Sequence, residues 1–219
     1  MGEVAPARGR RVLFVVTEDW FFCSHFLPMA RVARDGGFEV FVAARVRAHR
    51  AVIEAEGFRL AEVEAERASL NPLAALAALM RQKAVIAEVQ PDIVHLIALR
   101  SILLGGLAAR LAGVPARVVA LTGMGFIGAG RSRGARAAQK ALRLVIRLLI
   151  DGPKTRFLFE NRSDPVMLGL DPDDRAKVTI VGGAGIDPGQ FAPQPLPAQP
   201  PLKLAMIARM LWSKGPDLA

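Results

Sequence analysis

Four stretches carry residues that could do chemistry. In Met206-Ile-Ala-Arg209-Met-Leu-Trp-Ser-Lys214-Gly215 a β-rich run ends at a loop with Arg209 and Lys214 five residues apart, and a helical segment then opens. Two cations at such a strand-to-helix junction can converge on a diphosphate, with the helix N-terminal amides assisting. Gly123-Met-Gly125-Phe-Ile-Gly128 matches the G-x-G-x-x-G phosphate finger by pattern. That finger needs an acid about 20 residues further on for the ribose hydroxyl. Here the acid at the next strand end is Glu160, thirty-seven residues after Gly123, and the first turn, TEDWFFCSHF, contains no glycine. Gly123 and Gly125 therefore read as a tight turn with positive φ or as a functional loop at a strand's carboxyl end. Ser24 and His25 close the first turn, where an imidazole can serve as acid or base. His95 lies in the apolar run DIVHLI and reads as a hydrogen-bonded core histidine.

The charge pattern adds a partner class. Lys and Arg number 29 against 20 Asp and Glu, a formal charge of +9, which favours an anionic partner. Arg136, Lys140, Arg143 and Arg147 recur at helical spacing, and Leu142, Val145, Ile146 and Leu149 make a second stripe. This basic amphipathic helix has two readings, a core-packed helix with a solvated face or one that lies against anionic lipid headgroups. Trp20, Phe21 and Phe22 are either core or an apolar rim facing a lipid. Nucleic acid is the weaker partner, because the cations are not interleaved with aromatics and the chain has no Tyr for base stacking.

The elements that must position these residues alternate regularly. Apolar runs at 11–16, 39–45, 58–64, 92–97, 117–122, 155–160, 177–182 and 203–208 predict strands. Helical patterns at 24–34, 72–89, 99–111, 134–150 and a short one after Ser163 fall between them. Strands alternating with helices predict an α/β fold, a Rossmann-like parallel sheet covered on both faces. Ligands then belong beyond the carboxyl ends of the strands, in the loops after Val16, Ile97 and Thr122. Residues 1–10 are polar and basic and predict a disordered N-terminus. Residues 11–183 predict one domain, the Pro- and Gly-rich 184–202 an interdomain linker, and 203–219 the start of a second, truncated domain. The single cysteine, Cys23, excludes an internal disulfide, and no Cys/His spacing suits a structural zinc. No run is long enough to span a bilayer, and the early apolar stretch is short for a signal peptide, so the expected location is cytoplasmic.

Several of these stretches together resemble the family 4 glycosyltransferases of the GT-B fold. MIARMLWSKG is similar to the strand-loop-helix that begins that family's donor domain, and GGAGIDPGQFAP is similar to its crossover, through Gly185, Ile186, Asp187 and Phe191. PDIVHLIALRSILLGGLAARLAGVP resembles its fourth strand and the following helix. DWFFCSHFLPMARVARDGGFEVFVA, ERASLNPLAAL and LTGMGF resemble the bacterial subset that adds N-acetylhexosamines to polyprenyl-diphosphate-linked sugars, enzymes of polysaccharide, lipopolysaccharide and capsule assembly.

The resemblance implies transfer of a sugar from a nucleotide diphosphate sugar, with retention of configuration, no bound metal and no cofactor beyond that donor.

 That donor is expected to be a UDP-linked sugar. Arg209 and Lys214 match the family's diphosphate-binding pair and would stabilise charge developing on the leaving nucleotide diphosphate. The first domain would bind a lipid-linked glycan acceptor through Ser24, His25, Thr122, Gly123 and Gly125, with His25 the candidate catalytic group. The helix cations Arg136, Lys140, Arg143 and Arg147 would contact an anionic membrane surface, placing the protein on the inner face of the plasma membrane. His95 matches the family's strand-four histidine. The bulky TEDWFFC replaces the glycine-rich first loop common in the family, and the resemblance puts the family's E-x7-E motif in the donor domain, of which these 219 residues hold only the opening. The expected consequence is that this polypeptide alone neither transfers sugar nor binds a nucleotide sugar tightly. Two other classes stay open: a non-catalytic module that binds membranes or glycolipid, and a nucleotide-cofactor enzyme using the glycines at 123–128.

Overall fold

The computed structural model describes residues 9–64, 71–122 and 132–186, together with 188, 189, 191–193, 195, 205–207 and 215. The chain divides into two compact units, Met1–Ala184 and Gly185–Ala219. In the second, the described residues include Ile186, Phe191, Met206 and Ile207, all exposed.

The first unit runs β1 (Arg11–Glu18), α1 (Asp19–His25), α2 (Leu27–Asp35), β2 (Glu39–Arg45), α3 (Arg50–Ala55), β3 (Arg59–Glu62), α4 (Pro72–Val89), β4 (Ile93–Ile97), α5 (Ala98–Leu111), β5 (Ala116–Leu121), α6 (Arg133–Val145), a π-helical turn (Ile146–Ile150), β6 (Thr155–Phe159), α7 (Ser163–Leu168) and β7 (Val178–Ile180). The seven strands form one parallel sheet in the order β3-β2-β1-β4-β5-β6-β7. The chain starts in the middle, builds outward to β3, then crosses back to β4, so the order reverses between β1 and β4. That reversal opens a crevice at the strands' carboxyl ends.

Both faces of the sheet are buried, which explains why β1 reads as an almost unbroken apolar run. Val12, Phe14 and Val16 point to one side and pack with Phe22, Phe26, Leu27 and Ile53 from α1, α2 and α3. Leu13 and Val15 point to the other and join Leu79, Ile86, Ile102, Leu142, Ile146, Ile150 and Leu168 from α4, α5, α6, the π turn and α7. Gly105 lets α5 lie directly on this second face, because a Cβ there would stand 2.8 Å from Leu96 Cδ2 and 2.9 Å from Gln82 Oε1.

Helix ends follow local chemistry. Asn71 caps α4 by accepting from the Leu73 amide, with Pro72 in the first turn, and Ser132 caps α6 by accepting from the Ala135 amide. α7 stops at Gly169, whose φ of +77° a side chain would strain.

Four boundaries differ from the sequence expectation. The helix predicted at 24–34 begins at Asp19 and breaks at Phe26, so TEDWFFC is strand and helix rather than loop. The helix predicted at 134–150 changes to π spacing at Ile146. The strand predicted at 58–64 shortens to four residues, and α3, a six-residue helix, was not anticipated. The strand predicted at 203–208 falls largely outside the described residues.

Candidate functional site

The first turn is built on two buried acids. β1 continues to Glu18 because its carboxylate, almost fully buried, forms a two-pronged ion pair with Arg45 at the end of β2. Asp19 is fully buried at the start of α1. Its Oδ2 accepts from the backbone amides of Arg47, Ala48 and His49 at 2.7, 2.9 and 2.9 Å, and Oδ1 accepts from the Trp20 amide. Burial alone would raise this carboxyl, but the amide hydrogen bonds outweigh burial and hold its pKa down to about 2. Glu18 and Asp19 thus replace a glycine turn with a fixed junction that tethers the β2–α3 loop. Neither acid was singled out by the sequence reading, since their partners are not legible nearby in the chain.

This junction aims α1. Of the three aromatics left open between core and rim, Phe22 is fully buried, Phe21 is half-buried, and Trp20 is 43% exposed. Cys23 is half-buried, and burial, with the charges of Asp19 and Glu56, pushes its thiol up to about 11. It is therefore a poor nucleophile at neutral pH. At the end of α1 the Ser24 hydroxyl donates to the Trp20 carbonyl at 2.8 Å, and the His25 Nδ1 lies 2.7 Å from the Ser24 Oγ. The His25 ring rests on Phe21 at 4.4 Å between centroids.

His25 then lines a cleft on the α1–α2 side of the sheet, at the carboxyl ends of β5, β6 and β7. Phe26 and Met29 wall one side; Ala120, Leu121 and Thr122 from β5, Leu158, Phe159 and Glu160 from β6, and Val181, Gly183 and Ala184 after β7 complete it. His25 and Thr122 therefore meet in one place, with Ser24 directly behind His25. Glu160, considered in the sequence only as a ribose partner, joins them there. Gly123, Gly125, Arg209 and Lys214 lie outside the described residues.

His95 departs from expectation in one respect. It is buried as predicted, stacked on Phe14 at 4.9 Å and edge-on to Phe26 at 5.9 Å. Its Nε2, however, has no hydrogen-bond partner among the described residues, and burial lowers its pKa to about 4. It is a neutral ring packed among phenylalanines, with Nε2 unpaired among the described residues.

The basic helix also differs from its two-stripe prediction. Leu142, Ile146 and Ile150 form a narrow buried seam, and Arg136, Lys140 and Arg147 stand exposed beside it. Leu144, Val145, Leu148 and Leu149 make a third, apolar stripe, 56%, 36%, 57% and 39% exposed. Val145 and Leu149, assigned to the packed stripe from sequence, thus face outward. Arg143 is exposed as well, but it is engaged: its guanidinium donates to the Met167 carbonyl through Nε at 3.2 Å and NH2 at 2.6 Å, tying α6 to α7. Arg110 of α5 donates to the Leu148 carbonyl at 2.9 Å, satisfying a group in the π turn.

With this geometry in view, comparison with known proteins is informative. A family model described as glycosyl transferase 4-like matches residues 11–151. The chain belongs to this family. Among solved structures, the fold of this glycosyl transferase 4-like chain is similar to that of a glycosyltransferase from Rickettsia africae, with a TM-score of 0.58 and 13% identity over 84% of this chain and 45% of that one. It is also similar to Anabaena Alr3699/HepE in complex with UDP and glucose, with a TM-score of 0.57 and 12% identity over 84% and 47%. A UDP-N-acetylglucosamine 2-epimerase gives a TM-score of 0.57 and 14% identity over 80% and 48%. The chain spans about half the length of these structures, and at such identities the likeness establishes the fold alone: the Rossmann-like half of a GT-B architecture. No curated protein matches the sequence.

Proposed function

We propose that this chain is the acceptor-binding half of a glycosyltransferase that moves a sugar, with retention of configuration and without a bound metal, from a UDP-linked donor to a lipid-linked or polysaccharide acceptor. The observation that carries this reading is the coincidence of the family match with a cleft at the strands' carboxyl ends, where His25, Thr122 and Glu160 converge among apolar walls. Two fold neighbours, one in complex with UDP and glucose and the other a UDP-N-acetylglucosamine 2-epimerase, support a nucleotide-sugar donor. Arg209 and Lys214 would hold its diphosphate, as the motif resemblance implies.

The exposed apolar stripe of α6 supports the lipid side of the proposal. Leu144 and Leu148 would enter the headgroup boundary while Arg136, Lys140 and Arg147 meet anionic phosphates, which keeps the protein on the inner face of the plasma membrane. No described helix is long and apolar enough to cross a membrane. The same stripe would serve a binding module without catalysis, so membrane affinity does not separate the two readings; ligand binding does.

The deciding experiment titrates the purified 219-residue chain with a UDP-sugar and with a short glycan acceptor, following the amide signals around the cleft. The expected result is acceptor binding at His25 and Thr122, weak or no nucleotide-sugar binding, and no transfer. Turnover by this chain alone, or tight UDP-sugar binding in the cleft with no response to any glycan, overturns the proposal.

A further inference from the structure

The polarity of the cleft specifies its ligand more narrowly than its position does. The Ser24 hydroxyl has one proton. Its oxygen lies 2.8 Å from the Trp20 carbonyl and 3.3 Å from the Phe21 carbonyl, both of which only accept hydrogen bonds. If that proton pointed at His25 instead, two oxygens would face each other at 2.8 Å with no hydrogen between them. The proton therefore goes to the Trp20 carbonyl, a back-bond common for serine in a helix. The contact of 2.7 Å between Ser24 Oγ and His25 Nδ1 must then be donated by the imidazole. In the neutral ring one nitrogen donates and the other accepts, and the hydrogen bond at one fixes the role of the other. A donating Nδ1 leaves Nε2 as a lone pair.

The other polar groups of the cleft point to the same conclusion. Glu160 brings a carboxylate, which only accepts, and Thr122 brings a hydroxyl that can do either. Phe26, Met29 and Leu158 supply apolar walls. Among the described side chains lining the cleft there is no lysine or arginine to receive a phosphate.

From this we infer that Ser24 is a positioning residue that holds His25 as an acceptor, and that the cleft is built for a ligand rich in hydrogen-bond donors with an apolar face, which is a sugar ring bearing hydroxyl or acetamido N–H groups, and not for a phosphate. The inference rests on the acceptor-binding reading for the identity of the ligand; the tautomer does not depend on it. Seryl hydroxyl, imidazole and ligand hydroxyl form a relay running one way, from the ligand's O–H to Nε2 and from Nδ1–H to Ser24 and the Trp20 carbonyl.

The test is nitrogen-15 NMR of the histidine-labelled chain, at a pH where the His25 ring is neutral. Expected is an Nδ1–H tautomer in the wild type, retained in Ser24→Thr and lost in Ser24→Ala. A methyl N-acetylglucosaminide should then shift the His25 Nε2 signal in the wild type, and inorganic phosphate should leave it unmoved. An Nε2–H tautomer in the wild type overturns the inference while leaving the glycosyltransferase reading intact. An Nε2 signal moved by phosphate and not by the glycoside overturns the assigned ligand class. Failure of the transferase reading itself shows elsewhere, in the donor and acceptor titration above.

Discussion

At the β1–α1 junction the chain is fixed by charged groups that are buried and fully engaged, whereas α6 is held by a thin apolar seam and leaves most of its circumference to solvent. Asp19 collects four backbone amides and Glu18 a guanidinium, so the position of His25 follows from bonds that reach 27 to 30 residues along the sequence. On α6 and the π turn that follows it only Leu142, Ile146 and Ile150 are deeply buried, and Arg143 makes the polar tie to α7. The proposed cleft, which would present one nitrogen of one ring, requires rigidity. The proposed membrane face would require exposed apolar area instead. The difference teaches that the two regions should fail differently: substitutions at the junction lower stability, and substitutions on the outer face of α6 lower binding while the fold stays intact.

The sharpest break of that contrast is Asp19→Asn. It removes the charge from four hydrogen bonds in a buried site, with an expected loss of roughly 3 kcal/mol at neutral pH by urea unfolding. The sign follows from the lowered pKa. The carboxylate's contribution is complete above its ordinary value of 3.8 and is lost as the pH falls through about 2, so wild type and variant should converge at the acid end. Equal stability of the two at pH 7 would remove the junction's anchoring role.

His95 gives a second effect on the same side of the sheet. With its pKa lowered to about 4 from 6.5, the unfolded chain binds the extra proton between those values. Stability should therefore decline as pH falls from 6.5 to 4, by at most about 3 kcal/mol. His95→Leu should flatten that part of the pH profile; an unchanged profile would show that some other group carries the acid sensitivity.

On α6 the expected stability changes are smaller. Arg143→Ala loses the tie to the Met167 carbonyl and should cost about 1 kcal/mol. The paired change Leu144→Glu with Leu148→Glu should alter stability by less than about 0.5 kcal/mol, as is usual for exposed positions. Flotation with anionic vesicles should nonetheless fall at least about tenfold for this double variant, since both apolar insertion and charge attraction are lost. Vesicle binding equal to wild type would move the membrane contact off this helix.

The sheet was legible because its strands are apolar on both faces and its helices have helical spacing, as with RVLFVV and 72–89. The junction was not. Glu18 and Asp19 look like loop acids in TEDWFFC, and what makes them structural is a guanidinium on the neighbouring strand and three amides in another loop. The π turn was invisible for a different reason: one residue of changed spacing at Ile146 rotates Leu148 and Leu149 without altering composition. Of the cleft, His25 and Thr122 could be read from their places after strands one and five. Glu160 was visible as a strand-end acid, but its meeting with His25 depends on how β6 lies beside β5.

Asp19 also bears on how this chain can vary. Three of its partners are main-chain N–H groups at 47–49, which every residue except proline provides. Arg47 and Ala48 can therefore change without loosening the amide tether, provided neither becomes proline, while the His49 ring also stands 3.7 Å from Asp19 Oδ2. For these three amide bonds the side-chain requirement falls on one carboxylate. In a set of homologues those amide bonds would show as an invariant acid facing positions 47 and 48 free to vary, a pairing that covariation between positions would miss.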